Sequence, residues 1–189
     1  MYRIRFEGGV SSDEQAAIAE WVPKTLDTVI GQGVGVGDHL LTRWFGASAT
    51  GAGTNASDCL AKRQKMSDYV LRQCQVITFV KKLYGKKVDK AEVVEGDLAQ
   101  VMRSCFGNDP DGFVPSGVRI YVLGNGLIEQ DAHERFNTIT HELSHRVIDT
   151  TDWVYGKQES LDLATTKPAK AADCAENWGY FYQELLESL

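Results

Sequence analysis

The stretch His141-Glu142-Leu143-Ser144-His145-Arg146-Val147-Ile148-Asp149-Thr150-Thr151-Asp152-Trp153-Val154-Tyr155-Gly156 decides how this chain is read. Its first five residues are HExxH. Side chains four apart on a helix share a face, so both imidazoles can reach one metal ion. Glu142 lies beside that face, where a carboxylate can hydrogen-bond a metal-held water. Zinc acidifies such a water to a pKa of about 7, and the carboxylate then takes its proton. On a helical wheel Phe136, Ile139, Leu143 and Val147 cluster on one side, and His141 and His145 point to the other. The spacing therefore predicts a helix over about 132–148, its apolar face in the core and its histidines toward a cleft.

A catalytic zinc needs a third protein ligand and an open fourth position. The metzincin pattern HExxHxxGxxH fails, because Ile148 stands at the glycine and Thr151 at the third ligand. A thermolysin-like ligand from a later helix would come from Glu159, Glu176, Glu184 or Glu187. Nearer candidates are Asp149 and Asp152. Asp149 is one turn past His145, close to the helix axis, and is better placed to end the helix. Asp152 is seven positions past His145, a reach of over ~10 Å, enough to leave the helix and turn back to the metal. Tyr155 would then stand near the same metal, where its phenol could donate to a developing oxyanion, a contribution of about 2.7–4 kcal/mol for one donor.

HExxH followed by Thr150, Asp152, Tyr155 and Gly156 resembles the aspzincins, the family of deuterolysin and the peptidyl-lysine metallopeptidases. The family pattern G-T-x-D-x-x-Y-G is matched here except that Asp149 replaces the first glycine. Arg43-Trp44-Phe45-Gly46, the segment 118–123 and Ala175-Glu176-Asn177-Trp178-Gly179-Tyr180-Phe181 also look similar. The resemblance implies an α+β, zincin-like domain over 1–189, mostly helical with a small sheet. It implies one Zn2+ per chain on His141, His145 and Asp152, with Glu142 as general base and Tyr155 stabilising the transition state. The activity implied is that of a zinc endopeptidase cutting internal peptide bonds. Lysine-specific members use an acidic residue in the last helix and a glutamate three positions later to bind the substrate lysine. Glu176 matches the first, and Gly179 stands at the second, which points to a broader preference. The rival readings are a zinc amidase on cell-wall peptides and a non-catalytic, metal-containing binding module. Intact Glu142 argues against the last.

The bulk of the chain agrees with a soluble enzyme. Its 189 residues are 43% hydrophobic and 24% charged, enough for one domain with a core of its own. A net charge of −6 gives no help on a phosphate backbone, so the expected partner is a protein or peptide substrate and not nucleic acid. No apolar run approaches a membrane span. Residues 1–6 lack the apolar core of a signal peptide, so the expectation is a secreted or exported enzyme, its leader removed or its export by another route, with a cytoplasmic enzyme as the alternative. A monomer is expected. Four dispersed cysteines, Cys59, Cys74, Cys105 and Cys174, allow two disulfides or four buried thiols.

The rest of the pattern predicts a strand over 2–6, then a helix capped by Ser11 or Ser12 and running toward Ile30, kinked or divided at Pro23. The glycine-rich 31–37 segment reads as a connector and 47–57 as a loop. A long helix is expected over about 57–84, with Met66, Val70, Ile77, Val80 and Tyr84 on one face and a lysine cluster at its end. A loop over 107–117, a strand over 118–123 near the cleft rim, and a last helix over about 170–189 complete the expectation. His39 and His133 read as surface residues.

Overall fold

A computed structural model describes residues 2–7, 10–31, 38–74, 76–82, 118–123 and 132–188. Expectations for 32–37, 107–117 and Cys105 fall outside these residues. The described chain is mostly helical with little strand.

Strand β1 (Arg3–Glu7) leads into helix α1 (Ser12–Ile30). Ser11 caps α1 in a reciprocal box: Glu14 N–H donates to Ser11 Oγ, and Ser11 N–H donates to the Glu14 carboxylate. Pro23 does not divide the helix, which runs continuously through it. Trp21, Val22, Leu26 and Val29 line its buried side. Helix α2 (Asp38–Phe45), a short 3-10 turn at Ala47–Ala49 and helix α3 (Ala56–Gln73) follow.

The long helix expected over 57–84 is two elements. Helix α3 stops at Gln73, where the Cys74 N–H donates to Val70 O, and Val76–Lys82 is strand β2. The run Val76-Ile77-Thr78-Phe79-Val80 is β-branched and aromatic throughout, and such side chains fit a pleated sheet. Its apolar spacing also satisfied a helical face, an ambiguity inherent in short apolar runs. Strand β2 is the middle of a parallel sheet ordered β1-β2-β3, with β3 at Val118–Leu123. Lys81 and Lys82 therefore end a strand and are not helix-terminal cations.

Helix α4 (Ala132–Ile148) carries HExxH. The segment after it, for which the sequence pattern predicts no helix, contains helix α5 (Lys157–Thr166). The single last helix expected from about 170 is instead the short α6 (Pro168–Ala171) and then α7 (Ala175–Glu187). The break has a backbone cause: Thr151 pairs with Cys174 in a parallel bridge, and Thr151 N–H donates to Asp173 O while Ala175 N–H donates to Thr151 O. Residues engaged with a neighbouring segment in this way cannot continue a helical ladder.

Helices α4 and α7 pack face to face. Phe136, Ile139 and Leu143 from α4 meet Trp178, Phe181, Tyr182 and Leu185 from α7 in one core, joined by Trp44 and Phe45 of α2. Phe45 and Trp178 have ring centroids 4.4 Å apart, and Trp44 stacks on Tyr180 at 5.0 Å. Asn177 donates to Trp44 O and Ser160 O, tying α7 to α2 and α5. Gly179 permits this closeness, since a Cβ there would lie 2.7 Å from Asn137 Oδ1 on α4.

Cys59, Cys74 and Cys174 are free buried thiols, so the two-disulfide alternative is excluded. Burial is the main cause that pushes Cys59 up to about 11 and Cys74 up to about 12. No helix among the described residues is long and apolar enough to cross a membrane.

Candidate metal centre

His141 and His145 sit one turn apart on α4, both 4% exposed, with Glu142 beside them at 1%. Asp152 returns from the segment after α4. Its Oδ1 is 3.2 Å from His141 Nε2 and 2.9 Å from His145 Nε2, and the two Nε2 atoms are 3.2 Å apart. Among the described residues these three side chains form the one group of His, Cys, Asp or Glu donors placed to share a metal ion. Zinc bonds nitrogen and oxygen at about 2.0–2.2 Å, so the edge of a tetrahedral site is about 3.3–3.6 Å. The observed triangle is close to that size, and a small expansion would fit it to the ion.

The turn that returns Asp152 begins at Asp149, whose φ of 56° places it in the left-handed region. A glycine adopts this conformation freely, and aspartate is among the few other residues that tolerate it. The substituted residue thus keeps the turn. Its side chain is exposed and lies outside the donor triangle. The hydroxyls of Ser144 and Thr150 are 2.7 Å apart, and Ser144 also donates to His141 O, which sews the end of α4 to the turn.

Each imidazole is held from behind. His145 Nδ1 lies 2.8 Å from Thr150 O, which can only accept, so Nδ1 carries a proton and Nε2 is the nitrogen turned toward the triangle. His141 Nδ1 lies 3.0 Å from Glu176 Oε2. Carbonyl and carboxylate partners of this kind fix the ring and raise its basicity as a ligand. Burial works to lower the His141 pKa, but hydrogen bonds with Asp152 and Glu176 and the charge of Glu142 outweigh it and raise the value to about 10. Burial likewise works to raise Asp152, and the hydrogen bonds from both histidines hold it well below the usual carboxylate range.

The other expected residues are placed as follows. Glu142 Oε1 is 4.0 Å from His141 Nε2. Tyr155 is 52% exposed, three residues past Asp152. Glu176 is 7% exposed on the first turn of α7, so it is not a solvated helix carboxylate; its Oε1 accepts from Gly156 N–H at 2.9 Å while its Oε2 faces His141. Of the other downstream glutamates, Glu184 pairs with Arg43 and Lys157, and none joins the triangle. His39 is exposed, as expected, and the side chain of His133 lies outside the described residues. Sequence reasoning missed Thr150 as the acceptor behind His145. The threonine of the T-x-D motif was the available signal.

Residues 121–183 match the model of the aspzincin M35 family, described as lysine-specific metallo-endopeptidase. The match runs from β3 to α7 and includes every residue of the triangle, Glu142, Tyr155 and Glu176. The fold is similar to that of a zinc peptidase from Grifola frondosa, with a TM-score of 0.61 and 22% identity over 92% of this chain and 96% of that one. No curated protein matches in sequence.

Proposed function

We propose that this chain is a zinc metalloendopeptidase of the aspzincin type that holds one zinc on His141, His145 and Asp152 and hydrolyses internal peptide bonds with Glu142 as general base. The observation that supports this reading best is the donor triangle, with edges of 2.9–3.2 Å and a hydrogen-bond acceptor behind each imidazole. When bound there, zinc polarises the scissile carbonyl and acidifies the attacking water. Glu142, buried beside His141, takes the proton from that water and delivers it to the leaving amine nitrogen. The Tyr155 phenol, on the exposed side of the site, donates to the carbonyl oxygen as charge grows on it. Asp152 and the two imidazoles keep their positions through these steps, since each is anchored before substrate arrives.

Substrates are proteins or peptides. Two features favour a preference broader than lysine. Both Glu176 oxygens are engaged within the protein, and Gly179 faces Asn137 so closely that a second carboxylate there would displace it.

The test is cleavage of an unfolded protein by zinc-loaded wild type beside Glu142→Gln, which keeps shape and metal donors while removing the base. Wild-type cleavage should fall by a factor of at least about 10²–10⁴ in the variant. Equal activity in both would refute the assignment of Glu142. The cut sites of the wild type report residue preference, and cleavage confined to lysine would contradict the broader reading.

A further inference from the structure

Helix α7 begins at a point where three separate parts of the site meet. Its first turn carries Glu176, a position where the helix dipole favours a carboxylate. Glu176 Oε2 lies 3.0 Å from His141 Nδ1, and Oε1 accepts from the Gly156 N–H at 2.9 Å. Just upstream, the backbone of 173–175 is bonded on both sides of Thr151. The segment carrying Asp152 and Tyr155 is therefore pinned at Thr151 by the backbone before α7 and at Gly156 by the Glu176 side chain. The same side chain holds the first histidine of α4, 35 residues away in sequence.

We infer that Glu176 is a positioning residue: it sets the His141 ring as a metal ligand and locks the Asp152–Tyr155 segment to it, instead of binding substrate. The inference rests on the zinc reading above. Each Glu176 oxygen already accepts a bond from within the protein, and the side chain is 7% exposed, so its carboxylate is turned to the site's own framework and away from solvent. As an acceptor opposite Nδ1, it keeps the imidazole proton on Nδ1 and leaves Nε2 free toward the donor triangle.

Glu176→Gln separates the two bonds. The amide oxygen can still accept from Gly156 N–H, but the NH2 group then faces Nδ1–H, donor against donor. Relief moves the imidazole proton to Nε2 or swings the ring away, and either change spoils the ligand. The experiment measures zinc affinity by competition with a chromogenic chelator, together with the visible spectrum of the cobalt-substituted protein, for wild type, Glu176→Gln and Asp152→Ala. Zinc affinity should fall about 10- to 100-fold in Glu176→Gln, and the cobalt bands should shift. Wild-type affinity and an unchanged cobalt spectrum, with a raised KM or altered cut sites, would overturn the inference and make Glu176 a substrate-binding group. If the glutamine variant does not fold, Glu176→Asp decides. It keeps the charge but is too short to reach both partners, so its zinc affinity should also fall, and full affinity would overturn the inference. Asp152→Ala keeps the two failures apart: undiminished affinity in that variant refutes the ligand set, whereas loss there with none in the Glu176 variants refutes only the positioning role.

Discussion

The two halves of the candidate metal centre are built differently. His141, Glu142 and His145 belong to a helix whose opposite face is packed into the core, and all three are at most 4% exposed. Asp152 and Tyr155 lie on a segment without regular structure, with the Asp152 side chain 34% exposed and Tyr155 52% exposed. The helical half takes its geometry from the α-helical repeat and from packing against α7. The other half takes its geometry from a few bonds: the bridge at Thr151, the Ser144–Thr150 hydroxyl pair and the Glu176 bond to Gly156. A rigid pair of buried donors thus meets a pinned segment whose Asp152 and Tyr155 side chains reach solvent. An exposed segment held at its ends can also adapt to what binds there.

Asp152→Ala breaks the exposed half at its one donor. Zinc affinity should fall by at least about 100-fold, beyond what loss of a partner behind a ligand costs. The metal-free helices should persist by circular dichroism, because their core does not include Asp152. A variant with normal affinity would move the third ligand elsewhere.

The halves should also differ in their response to acid. With its folded pKa raised to about 10, metal-free His141 carries a proton at neutral pH that zinc must displace. Asp152 is held far down and stays ionised, so it adds no proton of its own. Zinc affinity should therefore drop at least about tenfold for each pH unit lost between 8 and 6, through the proton displaced from His141. Calorimetry in buffers of different ionisation enthalpy checks the proton count, and a pH-independent affinity would contradict the paired state of His141.

The smallest effect is expected at the hinge between the halves. Asp149→Gly relieves a left-handed residue but frees the unfolded chain, so stability should change by less than about 1 kcal/mol. Asp149→Val should destabilise by roughly 1–2 kcal/mol, since a β-branched residue tolerates this φ poorly. Zinc affinity should stay normal in the glycine variant, and a large loss there would make Asp149 a ligand.

The same contrast explains what the sequence disclosed. The helix of the HExxH motif and its buried face were legible because a helical repeat is local. Asp152 was reachable by counting residues and by a family pattern. Glu176 as the partner of His141 was hidden, because a contact across 35 residues depends on how α7 docks. Strand β2 was misread since a run of Val76 to Val80 fits either period, and only its parallel neighbours settle the matter. Helix α5 was missed for a different reason: it opens on Gly156, with a φ of 94° and no side-chain cap, so the usual start signal is absent.

The central claim is that one zinc ion sits on His141, His145 and Asp152. The most direct measurement is an anomalous-difference map at the zinc edge from crystals of the zinc-loaded protein. The account predicts a single strong peak about 2.0–2.2 Å from His141 Nε2, His145 Nε2 and Asp152 Oδ1. A peak ligated by Asp149 or Glu176 in place of Asp152, or no peak between the two histidines, would contradict it.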